Sequence, residues 1–260
     1  MRNTVLTTAV LLTTTAFSGT AALAELNLYC SAQEEWCQLV AKSFEEASGI
    51  DVAMTRKSSG ETFAQVKAEA SNPKGDVWWG GTGDPHLQAA EEDLTEPYIS
   101  PMRSQLHPWA IRQAESAGNK TIGIYSGALG FGYNTDMLAK SGLPAPACWE
   151  DLTKPIYKGM VQIANPNSSG TAYTTLATMV QLFGEEGGFV APCEGTGYEI
   201  GSMSIIKGAR NMDEAKKFYD WALSTEAQNL ALQVNAFQVM SNVGTTKSDK
   251  APDLASIKLI

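Results

Sequence analysis

Positive charge is scarce in this sequence. Its 260 residues carry 19 lysines and arginines against 28 aspartates and glutamates, a formal net charge of −9. That balance argues against electrostatic binding to nucleic acid, which needs a basic patch. It leaves room for a small anion, because a local pocket overrides the net charge. Histidine is scarcer still: His86 and His107 are the only two. His86 follows Pro85 at a helix start and His107 precedes Pro108, so both read as structural. The sequence holds no H-E-x-x-H, no G-x-S-x-G and no P-loop. The segment from Gly195 to Gly201 misses a dinucleotide fingerprint by one residue and precedes a strand instead of following one. These absences argue against an enzyme. Beyond the first 24 residues no apolar run is long enough to span a bilayer. With 43% hydrophobic and 18% charged residues, the composition is that of a globular chain, not of a disordered or fibrous one.

What is there begins with an export signal. Arg2 is the only charged residue before Glu25. An apolar, threonine-rich stretch follows and ends in Ala22-Leu23-Ala24, the A-x-A pattern of a cleaved secretory signal peptide over residues 1–24. Cys30, Cys37, Cys148 and Cys193 are an even set in an exported chain, which favours disulfides. Cys30 ends an expected strand and Cys37 lies on the first turns of the next helix, within reach of a bridge. Cys148 would then pair with Cys193. A zinc site is the rival, but the spacing is wrong for paired C-x-x-C ligands.

Strands and helices alternate. Residues 26–30 read as a strand, and Ser31-Ala32-Gln33-Glu34 as a capping box for a helix carrying Trp36, Leu39, Val40 and Phe44 and stopped by Gly49. A strand over 50–55, a helix opened by Ser58-Ser59-Gly60-Glu61, a strand over 76–80 and a helix from Pro85 follow. This order implies a mainly parallel sheet flanked by helices. In the second half, 121–126, 129–133, 161–164 and 198–206 read as strands. Tyr173, Leu176, Val180 and Phe183 mark one helix. Asn211 caps another, carrying Ala215, Phe218 and Tyr219.

The strand-to-helix turns carry the chemistry. Ser31, Ser58-Ser59-Gly60 and Gly81-Thr82-Gly83 each put small or hydroxyl residues before a helix, and Ser168-Ser169-Gly170-Thr171 repeats the form. In an open parallel sheet such turns line one edge and a ligand crevice. Helix N-termini there offer free N–H groups and partial positive charge to a phosphate or carboxylate. Plain capping is the alternative for any one turn; four turns together favour a cleft. One ring of Trp78-Trp79 packs in the core, and the other either does the same or floors the cleft. Glu194, in a glycine-flanked loop, either accepts hydrogen bonds from sugar hydroxyls or is a solvated loop carboxylate.

Four segments in order, Gly75-Asp76-Val77-Trp78-Trp79-Gly80-Gly81-Thr82-Gly83-Asp84-Pro85, Gly130-Phe131-Gly132-Tyr133-Asn134-Thr135, Asn165-Pro166-Asn167-Ser168-Ser169-Gly170-Thr171 and Cys193-Glu194-Gly195-Thr196-Gly197-Tyr198-Glu199, resemble those of periplasmic solute-binding proteins of ABC importers. The nearest branch includes ferric-iron binders and hexose-phosphate binders. The resemblance implies a two-lobe, type II-like α/β fold closing on a ligand, with lobe 1 over 25–120 and a return segment near 200–260. Residues 121–200 then form the hinge and second lobe. It implies a monomer without a cofactor, handing a small anionic solute to an inner-membrane permease. Ser31, Ser59, Thr82, Ser169, Gly170 and Thr171 match the anion-holding turns, and Glu194 a sugar-hydroxyl acceptor. The paired tyrosines of the iron binders are missing. So are several tens of residues between the helix after Ser169 and Cys193, and a terminal helix, which implies a shortened second lobe. A hexose phosphate is the expected ligand. A phosphonate, ferric iron, a non-binding remnant and an enzyme on the same fold are the alternatives.

Overall fold

The computed structural model describes residues 25–183 and 196–251. The proposed signal peptide, Cys193 and Glu194 lie outside them.

The first half is built as the alternation predicts. Strand β1 (Glu25–Cys30) leads to helix α1 (Glu34–Ser48), strand β2 (Asp51–Arg56) to α2 (Ser59–Ala68), and β3 (Val77–Thr82) to α3 (Gly83–Glu91). The chain then runs through β4 (Thr95–Glu96), α4 (Pro108–Ser116) and β5 (Ile122–Ala128). It leaves the sheet for α5 (Thr135–Ser141) and α6 (Gly170–Phe183), and returns through β6 (Tyr198–Ile206), α7 (Met212–Ala222), α8 (Thr225–Asn229) and β7 (Val239–Met240). One seven-stranded sheet holds every named strand, in the order β2-β1-β3-β6-β5-β7 with β4 also on β6. The pairs β1–β2 and β1–β3 are parallel, and β3–β6, β4–β6, β5–β6 and β5–β7 are antiparallel, so the sheet is mixed and not mainly parallel as the alternation implies: β6 returns from the far side and inserts between β3 and β5.

Side-chain alternation along β3 explains the two cores. Val77 and Trp79 face one layer with α1 and α7, while Trp78 faces the other with Tyr29, Val66, Ala89 and Ile206; successive strand residues point to opposite faces. Helix α1 buries Trp36, Val40 and Phe44, one face at four-residue spacing. Helix α7 buries Ala215, Phe218, Tyr219 and Ala222. Trp36 packs edge-on to Trp79 with centroids 5.2 Å apart, and Phe44 to Phe218 at 5.1 Å. Both Trp78 and Trp79 are therefore core residues. His86 is fully buried, stacked on Trp78 at 3.7 Å and hydrogen-bonded to Ser204 Oγ and Gly80 O. Burial holds its pKa far down, at about 3.

The Cys30–Cys37 bridge is present, with Cα atoms 5.9 Å apart. Cys148 also carries a disulfide bond.

Several local expectations fail. Residues 129–133 and 161–164 form no strand, because no strand among the described residues lies alongside to complete a ladder. The Ser31 capping box does not form: α1 begins at Glu34 with Gln33 as an uncapped N-cap. The Ser31 hydroxyl is instead engaged by Trp78 Nε1 at 2.9 Å and Thr62 Oγ1 at 3.0 Å. Asn211 is an N-cap whose side chain makes no capping bond; its backbone N and Nδ2 both donate to Asp76, 3.0 and 2.9 Å away. The Ser58–Glu61 box does form, its Ser58 hydroxyl donating to Glu61 at 2.6 Å.

Candidate functional site

The fold brings the turns to one place. Helices α1, α2, α3 and α6 all start around a cavity of about 210 Å³ lined by Ser31, Ala32, Gln33, Arg56, Ser58, Ser59, Gly81, Thr82, Tyr125, Ser169, Gly170, Thr171, Glu199 and Gln238. Six of the seven residues expected from the sequence are in that set; the seventh, Glu194, lies outside the described residues. They arrive on four separate connections, Ser169 to Thr171 together, so only the fold makes them neighbours.

The β3–α3 turn is the centre. Gly81 has φ +87°, a left-handed conformation that glycine adopts without strain. A Cβ there would sit 2.3 Å from Ser59 Oγ. Gly81 N–H donates to the Tyr125 hydroxyl at 2.8 Å, and Thr82 N–H donates to Ser59 Oγ at 3.1 Å. Burial, with the nearby Glu199 carboxylate as second cause, pushes the Tyr125 phenol up, so it stays neutral. Thr82 is almost fully buried, yet its Oγ1 has no hydrogen-bond partner. An unpaired buried hydroxyl costs about 1–3 kcal/mol, and a ligand is the natural group to satisfy it.

The opposite wall comes from the start of α6. Gly170 lies directly on Thr82; a Cβ on Gly170 would meet Thr82 Oγ1 at 1.8 Å. Gly60 N–H donates to Ser168 O at 3.1 Å, tying the start of α2 to the turn before α6. Thr171 Oγ1 donates to Glu199 Oε1 and Thr174 Oγ1 to Asp84 Oδ2, both at 3.4 Å. The chain crosses between the walls only where β5 ends and β6 begins among the described residues. There Leu129 N–H donates to Gly197 O at 3.0 Å. The two connections therefore lie side by side.

Charge on the lining is sparse. Among the described residues Arg56, at the end of β2, is its only cation; its Nε donates to Ala32 O at 3.0 Å. Glu199 is the only carboxylate on the wall among the described residues. Burial raises its pKa, the Thr171 bond works against the rise, and Asp84 adds to it. Asp84 is likewise raised by burial. Sequence reasoning missed Arg56, Tyr125, Glu199 and Gln238. A cation closing a strand just before the Ser58 turn was a readable signal for Arg56. Nothing local marks the other three, which join the site by tertiary pairing.

A larger groove of about 530 Å³ shares Ser169 and Thr171 but runs along Phe131, Met137, Trp149, Met160 and Val161, with no charged residue on it. Its chemistry does not suit an anion. Among the described residues no cluster of three or more histidine, cysteine or acidic side chains is placed to hold a metal, and no helix is long and apolar enough to cross a membrane.

The model of a family described as "Bacterial extracellular solute-binding protein" matches residues 84–189. An uncharacterized protein of Haemophilus influenzae is 42% identical over 307 positions, covering 97% of this chain and 89% of its own. Since this chain has 260 residues, at least 47 of those positions have no counterpart in it. The periplasmic binding protein AfuA of Actinobacillus pleuropneumoniae, solved with fructose-6-phosphate bound, is 40% identical over 92% of both chains, with a TM-score of 0.85. The periplasmic binding protein P5PA is 32% identical over 91% of this chain and 92% of its own, also with a TM-score of 0.85.

Proposed function

The chain belongs to the bacterial extracellular solute-binding proteins, and from that premise we propose that its cleft captures a small phosphorylated organic anion, a hexose phosphate first of all, for an ABC permease of the inner membrane. The role is one of binding, not catalysis, as in the rest of the family. The observation that carries the ligand class is the convergence of four helix N-termini, Arg56 and the unpaired Thr82 hydroxyl on one cavity. N–H groups at helix starts and a guanidinium replace the water shell of a phosphate with charge-assisted bonds. AfuA, with its bound sugar phosphate, supports the same class.

Capture proceeds by closure. One wall is fixed to the sheet and carries Ser31, Ser59, Thr82 and Arg56. The other, at the start of α6, carries Ser169, Gly170 and Thr171. A ligand touching both walls stabilises the closed state by its differential affinity for it, and the closed state is what the permease meets. The expected signal peptide and the Cys148–Cys193 bridge belong to this reading, because both place the mature chain in an oxidising compartment.

The test is a thermal-shift and calorimetric panel of hexose phosphates, inorganic phosphate and ferric salts. A hexose phosphate should raise the melting temperature by mass action. The double variant Ser169→Ala/Thr171→Ala should lose about 1.5–3 kcal/mol of affinity per missing charge-assisted bond. Binding that survives the double variant and disappears with a chelator would refute the reading.

A further inference from the structure

The cleft holds more than an anion site. Besides Thr82 Oγ1, two buried side-chain oxygens on its wall have no partner: Glu199 Oε2 and Gln238 Oε1. Both are acceptors. A phosphate oxygen is an acceptor too, so a bare anion leaves them unpaired and sets its charge against a carboxylate. Gln238 escapes by turning its amide end for end; a carboxylate has no such option.

The surroundings of Glu199 sharpen this. Thr171 of α6 donates to its Oε1. Asp84 of α3 stands behind it as a like charge, Tyr125 of β5 beside it is neutral, and Arg112 of α4 lines the adjoining cavity of about 610 Å³ that Glu199 separates from the cleft. Arg56 shares the cleft. Among the described residues no ion pair involves Glu199 or Asp84. A buried carboxylate oxygen without a donor is costly and rare. With no donor to it among the described residues, a donor carried by the ligand is the partner that would pair it.

We propose that Glu199 is the specificity-determining residue of the cleft: among phosphate-like anions it selects those carrying a hydrogen-bond donor, a hydroxyl or an ammonium, beside the anionic group, and it rejects the bare anion. This rests on the phosphorylated-anion reading above. The anion sits at the helix starts and Arg56, and the donor turns toward β6. Glu199 reads the presence of a donor, not the stereochemistry of a sugar.

The test uses three ligands of one phosphonate series, ethylphosphonate, 2-hydroxyethylphosphonate and 2-aminoethylphosphonate, with fructose 6-phosphate beside them. Calorimetry is run on the mature protein and on Glu199→Gln and Glu199→Asp, each checked for an unchanged melting temperature. The two donor-bearing phosphonates should bind wild type about tenfold to a hundredfold tighter than ethylphosphonate, the worth of one charge-assisted bond. Glu199→Gln should bring that ratio to about twofold, with the ammonium ligand losing most and ethylphosphonate losing nothing. Glu199→Asp should keep part of the ratio. A ratio unchanged in Glu199→Gln, or an equal loss for all three ligands, overturns the proposal while leaving the anion site standing. Failure of wild type to bind any of the four defeats the anion reading itself, and this proposal with it.

Discussion

The sheet half of the molecule and the stretch from Leu129 to Phe183 use similar apolar residues to opposite effect. The sheet half contains both core clusters. The stretch contributes none of its described side chains to either. Among the described residues, nine of the thirteen large hydrophobic side chains that are exposed lie in it: Tyr133, Met137, Ile156, Met160, Val161, Ile163, Tyr173, Leu176 and Val180. Ile163 is 65% exposed, whereas Phe218 is 0% exposed. Hydrophobic residues are stabilising only when a second layer covers them. The sheet supplies that layer on both of its faces. Along the 129–183 stretch no strand exists among the described residues, and the apolar side chains line an open groove. The lesson is that the ligand-facing edge of this stretch, Ser169 to Thr171, is seated by contact with the other wall rather than by either core cluster.

The widest gap between the halves should appear in hydrogen exchange. Amides of β1, β3, β5 and β6 should open only with global unfolding, on the order of 5–15 kcal/mol for a domain. Those of α5 and of α6 beyond its first turn should open several kcal/mol earlier. Equal protection of both halves would erase the comparison. Truncation comes next. Phe218→Ala should cost about 3–5 kcal/mol in urea denaturation, and Ile163→Ser no more than about 0.5 kcal/mol. A large loss from Ile163→Ser would show that the groove is covered in solution.

Gly170→Ala probes the contact between the halves. The added methyl meets Thr82, and overpacking of that kind costs about 1–3 kcal/mol. The loss should fall on ligand affinity, with the denaturation midpoint of the sheet half unchanged; the reverse pattern would place Gly170 in the stability of the sheet. A pH slope set by a buried side chain of the sheet half is a separate test. The folded pKa of His86 is about 3 against the ordinary 6.5. As pH falls from 6.5 toward 3 the unfolded chain takes up a proton that the native one refuses, so native stability declines through that window. Glu199 and Asp84, both raised, act in the opposite sense: the native state binds their protons first, and stability gains as pH falls toward the ordinary carboxylate range. Urea midpoints at pH 7, 5 and 4 should show the histidine slope in wild type and its loss in His86→Gln.

The sequence by itself determined the helices and strands whose periodicity is local, among them α1 with Trp36, Val40 and Phe44, β3 with its tryptophans and the Ser58–Glu61 cap. It determined the Cys30–Cys37 bridge, because seven residues of turn and helix already hold the two thiols near each other, and it singled out the hydroxyl turns. It misread residues 129–133 and 161–164, since a strand exists only when another lies beside it. It misassigned Ser31, whose hydroxyl answers to Trp78, 47 residues away, and not to its own helix. What only the tertiary structure decided is which groups share the cleft. Arg56, Tyr125, Glu199 and Gln238 stand on separate strands and loops, and no spacing along the chain relates them. The sheet order sets β3 between β1 and β6. That pairing turns isolated caps into one cavity and leaves a carboxylate on its wall waiting for a donor.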